Sequence, residues 1–169
     1  LIYAGTPDFA VPPLRRLMEA AGGGNGDGGI DLVAVLTAPD RPVGRSGTPR
    51  RSAVKELADV AGLPVLEPET IDRSFIRQVA SMQPDLLVAV AYGKIFRPCF
   101  LEVFPRGGVN LHPSLLPKWR GPSPIPAAIL AGDATTGVTI QLLAEQMDAG
   151  DVLPQHEITL DGTETTASL

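Results

Sequence analysis

Apolar positions change their spacing several times along this chain, and each change marks an element. "LIYAG" at residues 1–5 is continuously apolar, as a buried strand is. Leu14, Leu17, Met18 and Ala21 then recur at i, i+3, i+4 and i+7, one face of a helix. "DLVAVLT" (31–37) predicts a second strand, and Ala53, Val54, Leu57, Ala58 and Ala61 a second helix, stopped by Gly62 and Pro64. "PVLEP" reads as a short third strand. Ile71, Phe75, Val79 and Met82 predict a third helix starting near Asp72. "DLLVAVAY" (85–92) is apolar on both faces, as a central parallel strand should be. A helical turn around 97–103 leads to the next strand, "GGVNLH". Such alternation predicts an α/β, Rossmann-like fold with a mostly parallel sheet and helices on both faces. After residue 121 the pattern changes: "IPAAILAGD" reads as a helix, then "TGVTIQLLA" and "DVLPQHEITL" as a C-terminal β-hairpin extension. "GTETTASL" at the end suggests the first turn of another helix.

Length and composition fit one domain, 1–169, since 44% hydrophobic content is ample for a core. No apolar run approaches the ~18–20 residues of a membrane span. Both ends read as cut, so a fragment is expected, with a further C-terminal domain missing. The single cysteine, Cys99, excludes an internal disulfide framework and any Cys-rich metal site, and reads as a small buried hydrophobe. A reducing, cytoplasmic setting is the expectation. The glycine-rich 21–29 stretch lacks the strand-to-helix context of a phosphate-cradling loop and reads as a plain loop.

Charge modifies this picture locally. The chain carries −5, yet residues 41–55, "RPVGRSGTPRRSAVK", hold Arg41, Arg45, Arg50, Arg51 and Lys55 with no acid, leaving −10 on the rest (−5 − 5). Its glycines and prolines predict an exposed, mobile loop, either a solvated surface or a contact for a polyanion.

Candidate chemistry gathers in "NLHPSLLPKWRG". Side chains alternate across a strand, so Asn110 and His112 share a face, and Pro113 ends the ladder at the histidine. Ligands of open α/β sheets bind beyond the carboxyl ends of strands. The residues alone leave open a structural pair, an asparagine cap beside a hydrogen-bonded histidine. Five prolines in the fourteen positions 113–126 could hold backbone groups toward a flat heterocycle with little ordering cost. Trp119, the one tryptophan, reads as a packing residue, and Leu116–Pro117 is a candidate cis bond. Acid–base work by His112 needs a further polar group. Asp148, in the turn "MDAGD", is the first candidate and Asp151 its rival.

"AGTPDFAVPPL", "APDRPVGR", "VAYGKI", "NLHPSLLPKWRGPSPI" and "GDATTGVTIQLLAEQMDAGDVL" together resemble the methionyl-tRNA formyltransferases, from Ala4 to Leu153 and in the family's order. The SLLPKWRG and MDAGD segments belong to the wider folate-dependent formyltransferases; AGTPDFA and DRPVGR narrow the likeness to the tRNA enzymes. The resemblance implies formyl transfer from 10-formyltetrahydrofolate to the amino group of methionine on initiator tRNA, with no metal, by a cytoplasmic monomer. It implies catalysis by Asn110, His112 and Asp148, and folate contact by Ser114, Leu115, Leu116 and Pro117. Tyr92 and Gly93 would form a further wall of the pterin pocket. Residues 41–51, with Arg41 and Arg45, would contact tRNA, although "GRSGTPRR" departs from the family's lysine-bearing pattern there. The family's C-terminal β-barrel, which also binds tRNA, would lie outside this chain. Two rival readings are a formyltransferase acting on a sugar amine or glycinamide ribonucleotide, and a folate- or nucleotide-binding module without turnover.

Overall fold

The computed structural model describes residues 1–22, 29–43 and 48–169, so most of the glycine-rich stretch, and Arg45 with it, lie outside the described residues. The chain forms two compact units, Leu1–Gly108 and Val109–Leu169.

The first unit is built on four parallel strands, β1 (Ile2–Gly5), β2 (Ala34–Leu36), β5 (Val65–Leu66) and β6 (Leu87–Val90), in the order β5-β2-β1-β6. Successive residues of a strand point to opposite faces, yet Ile2, Tyr3, Ala4, Ala34, Val35 and Leu36 are all 0% exposed. Both faces of this sheet are therefore covered, which explains runs that are apolar throughout instead of alternating. β2 is shorter than the apolar run that predicts it. Helix α1 (Val11–Gly22) follows β1 through a 3-10 turn, Asp8–Ala10, whose last carbonyl accepts from the Tyr3 hydroxyl at 2.6 Å. Burial pushes the Tyr3 phenol above its ordinary range. Helix α2 (Ala53–Val60) starts at Ser52, whose hydroxyl accepts from the Lys55 N–H, and buries Val54 and Ala58. Helix α3 (Arg73–Ser81) starts at Asp72, whose carboxylate accepts from the Phe75 N–H at 2.9 Å.

Thr6 ties three strand ends together. Its hydroxyl donates to the Tyr92 carbonyl at 3.2 Å, after β6, and accepts from the Ala38 N–H at 3.4 Å, after β2. Beyond β6, Tyr92 stacks on Phe96 and Phe96 on Phe100, which also meets Phe75 and Phe104. Burial pushes the Tyr92 hydroxyl up to about 12.

Two expectations need correction in this unit. Cys99 is exposed: the one-turn helix α4 (Pro98–Leu101) buries Phe100 and turns the neighbouring thiol outward. The basic segment is not loop throughout, because β3 (Arg41–Val43) and β4 (Thr48–Arg50) pair antiparallel, Arg41 opposite Arg50 and Pro42 opposite Pro49. Antiparallel ladders alternate hydrogen-bonded and non-bonded pairs. Prolines facing each other at a non-bonded pair cost the ladder nothing, so a proline-rich stretch can still be a ribbon. Both feet are held by α2, through the ion pair of Arg51 with Asp59 and through Lys55, 3.0 Å from Asp40. Lys55 also lies 2.8 Å from Glu67, and that bond leads the causes that raise its pKa.

The second unit contains nearly all of β7 (Gly108–His112), the helix α5 (Pro124–Leu130), β8 (Thr135–Leu142) and β9 (Val152–Thr159). β8 pairs antiparallel with β7 and with β9, the latter being the expected hairpin. Register shifts between Thr139 and Gln141, where Pro154 stands in β9; a bulge accommodates the missing donor. The last residues form one turn, with the Leu169 N–H on the Thr165 carbonyl at 3.1 Å.

Candidate active site

Strand pairing assembles this site. Asn110 stands opposite Gln141 and His112 opposite Thr139, so four polar side chains project from one face of β7 and β8. That face is otherwise closed off, for His112 is 4%, Thr139 0% and Gln141 2% exposed. Asp148 arrives from the connection between β8 and β9, at φ +50, a conformation that aspartate tolerates better than most side chains. Gly150 makes the turn possible: a Cβ there would overlap the Leu142 carbonyl.

The carboxylate of Asp148 is the hub. Its Oδ1 accepts from Gln141 Nε2 at 2.9 Å, and its Oδ2 from the Gly121 N–H at 2.9 Å. Asn110 Nδ2 reaches Oδ1 at 3.5 Å and His112 Nδ1 lies 3.6 Å from the same oxygen. Asp151 is exposed, and its backbone carbonyl accepts from the Leu142 N–H. Of the two candidate aspartates, Asp148 is the one brought to the histidine.

His112 Nε2 sits 2.9 Å from the Trp119 carbonyl. A carbonyl oxygen only accepts, so this nitrogen carries the hydrogen. The neutral ring then turns its Nδ1 lone pair toward Asp148, and a proton taken up by the ring lands on Nδ1, facing the carboxylate. Trp119 presents its carbonyl at φ +58, while its indole N–H donates to Asp133 Oδ2 at 2.7 Å. Lys118 holds the other oxygen of Asp133 at 2.7 Å. These two bonds, Lys118 first, lower the Asp133 pKa. The tryptophan is therefore held in place by its own hydrogen bond.

Ser114, Leu115, Leu116 and Pro117 form a bend stapled to the hairpin. The Thr139 hydroxyl donates to the Ser114 carbonyl at 2.6 Å and accepts from the Leu116 N–H at 3.1 Å. Gln155 Nε2 donates to the Leu116 carbonyl at 3.0 Å, and the Lys118 N–H to the Leu115 carbonyl at 3.0 Å. Leu116–Pro117 is cis. Most backbone groups of the bend are thus turned inward. What it offers a flat ligand is a rigid, apolar outline more than a row of free donors.

Sequence reasoning missed Gln141, Thr139, Gln155 and Gly121. The first two had a signal, polar residues two apart in the apolar run "GVTIQLL", matching Asn110 and His112 two apart in "VNLH". Gly121 acts through its backbone and Gln155 through an exposed edge strand, where residue type carries no such signal. Arg41 is exposed and lies in the first unit, whereas Arg45 is outside the described residues. Among the described residues no group of three or more His, Cys, Asp or Glu could hold a metal, and no helix is long and apolar enough to cross a membrane.

An asparagine, a histidine and an aspartate meet at the end of a strand in a Rossmann-like α/β framework, and the family model described as formyl transferase matches residues 5–169; the chain belongs to that family. Relatives from the tRNA branch match it along its whole length. It is 50% identical to a methionyl-tRNA formyltransferase of Treponema pallidum (strain Nichols), across 100% of this chain and 53% of the relative. It is 46% identical to that of Treponema denticola, across 100% of this chain and 52% of the relative. The chain therefore spans about half the length of these curated relatives. Solved structures agree on the fold. A phosphoribosylglycinamide formyltransferase from Bacillus halodurans superposes with TM-score 0.76 at 24% identity, covering 98% of this chain and 82% of that one. A glycinamide ribonucleotide transformylase from Geobacillus kaustophilus gives 0.74 at 25% identity, covering 98% and 85%.

Proposed function

We propose that the protein carrying this chain transfers a formyl group from 10-formyltetrahydrofolate to the amino group of methionyl initiator tRNA, in the cytoplasm. The observation that carries the chemistry is one carboxylate, Asp148, set against both Asn110 and His112 at 3.5–3.6 Å. Attack of the amine on the formyl carbon forms the new C–N bond and builds an oxyanion and a positively charged nitrogen together. Asn110 Nδ2, not committed to a short bond, donates to the oxyanion; such a donor lowers the barrier by ~2.7–4 kcal/mol. Asp148 takes the proton from the attacking nitrogen. It passes that proton to Nδ1 of His112, 3.6 Å away, since Nε2 is occupied by the Trp119 carbonyl; when the intermediate collapses, the bond to the folate nitrogen breaks and His112 hands the proton on to that nitrogen. Proton and bond counts balance without a covalent enzyme intermediate.

The bend of Ser114, Leu115, Leu116 and Pro117 is the proposed folate contact, its fixed outline suiting a planar ring. Arg41 and Arg45 are the proposed tRNA contacts. The 50% identity to a methionyl-tRNA formyltransferase, against 24–25% to the ribonucleotide enzymes, supports tRNA as acceptor. The test is formylation by the full-length protein, supplied with 10-formyltetrahydrofolate and either charged initiator tRNA or glycinamide ribonucleotide. Folate-dependent product on the tRNA alone is expected. Product on the ribonucleotide alone overturns the choice of acceptor, and no product on either overturns the activity.

A further inference from the structure

Asn110, His112 and Asp148 account for the proton and oxyanion chemistry, but not for why Asp148 stays where it is. Its contacts to Asn110 and His112 are the long ones, 3.5 and 3.6 Å, while those to Gln141 and Gly121 are both 2.9 Å. Charge-assisted hydrogen bonds of that shorter length are the strong ones. One strong donor thus sits on each carboxylate oxygen, and neither comes from the three residues assigned to the chemistry. Gly121 contributes a backbone N–H that no ordinary substitution removes. Gln141 contributes a side chain.

We propose that Gln141 is a positioning residue, holding the Asp148 carboxylate aimed at His112 while leaving Asn110 Nδ2 and His112 Nδ1 without a short bond. This rests on the formyl-transfer reading above. Gln141 is 2% exposed and faces Asn110 directly across the β7–β8 pair. Its amide has one favourable orientation, because turning it over would set Oε1 against a carboxylate oxygen, acceptor against acceptor. Holding the N–H₂ end on Asp148 leaves Gln141 Oε1 buried without a hydrogen-bond partner among the described residues. An unpartnered buried carbonyl is costly, and a residue kept only for packing would be served by leucine at no such cost. The bulge in β9 falls at this residue, whose partner is Val152, three positions from the Gln155 that faces Thr139. Bulges re-aim side chains near sites.

Two substitutions in the full-length protein separate positioning from packing. Gln141→Leu keeps the volume and loses the donor. It is expected to lower kcat about tenfold, the scale of one charge-assisted bond, with KM for folate and for tRNA within about twofold of wild type. Gln141→Glu keeps the shape and donates to Asp148 only while protonated. Among the described residues His112 is the one basic side chain within 4.0 Å of this carboxylate, so its charge is common to wild type and variant. Activity of Gln141→Glu relative to wild type is therefore expected to be highest at low pH and to fall as pH rises and two carboxylates come to repel. Wild-type kcat in the leucine variant, or a glutamate variant whose relative activity does not change with pH, overturns the proposal. A crystal structure separates its failure from failure of the activity itself: in Gln141→Leu the Asp148 carboxylate is expected to leave His112. A carboxylate still seated between Gly121 and His112 overturns the positioning role even in a protein that transfers formyl groups. Lack of formyl transfer by wild type overturns the activity alone.

Discussion

At the scale of single residues, the site divides its labour by bond length. Short bonds fix Trp119, Asp148, the bend after His112 and Nε2 of His112 itself; the long contacts leave Asn110 Nδ2 and His112 Nδ1 available. His112→Ala and Asn110→Ala, each in the full-length protein, are expected to lower turnover on the order of a hundredfold, the range of acid–base and oxyanion contributions. Folate binding, measured by titration calorimetry, should change little, since neither side chain belongs to the bend. Near-normal turnover in either variant would remove that residue from the mechanism. Asn110 and His112 were legible in the sequence because alternation along a strand places two residues, two apart, on one face. Asp148 was legible only as a candidate beside Asp151, because a turn can deliver either; its positive φ, which the sequence does not spell out, decides between them. Gln141 was overlooked because a glutamine in a strand looks like solvent-facing polarity until the opposite strand is known.

At the scale of elements, caps and close approaches explain what periodicity leaves open. Helix α3 begins where expected because Asp72 accepts from the Phe75 N–H, the leading cause holding its carboxyl below the ordinary 3.8. A carboxyl depressed in the folded state contributes stability that is present above 3.8 and lost as pH falls through the folded value. Asp72→Asn keeps a capping acceptor without the titration, so its melting temperature is expected to fall less steeply than that of wild type below that range. Equal slopes in thermal melts across pH would show that the cap's charge is irrelevant. Gly137 sets a different limit. A Cβ there would overlap the His156 carbonyl of β9 and come within 2.6 Å of Leu115 Cδ2. Gly137→Ala is expected to destabilise by about 1–3 kcal/mol, the usual cost of overpacking, read from denaturant midpoints. Strand lengths were less legible than strand positions. Apolarity marks a stretch as buried, whereas pairing with a neighbour decides how much of it is strand. The basic segment shows the same limit, since proline and glycine counts argue for loop and carry no sign of the pairing between residues 41–43 and 48–50.

At the scale of the whole molecule, charge distribution matters more than its sum. Residues 41–55 carry +5 in a chain of −5, but two of those charges are locally offset, Arg51 by Asp59 and Lys55 by Asp40 and Glu67. Among the described residues, Arg41 and Arg50 have no ion-pair partner and face each other across the ribbon, an arrangement that mutual repulsion opposes and a polyanion would relieve. Phosphate contacts release condensed counterions, so the proposed tRNA contact through this segment is expected to weaken with salt. Arg45→Ala is expected to raise KM for methionyl-tRNA and to flatten its salt dependence while leaving folate binding intact. Unchanged tRNA kinetics at every salt concentration would return a small amine to first place as acceptor.

The paired prolines of that ribbon have a consequence for how copies of the protein behave in a crowded solution. At a non-bonded pair the main-chain groups point away from the partner strand, toward the ribbon's outer edges. Pro42 and Pro49 therefore each erase an outward N–H, one on either edge. A third strand trying to join would find a gap in the row of donors from whichever side it came, and a line of arginines beside it. The ribbon can therefore leave its edges exposed without becoming a nucleus for sheet growth between molecules.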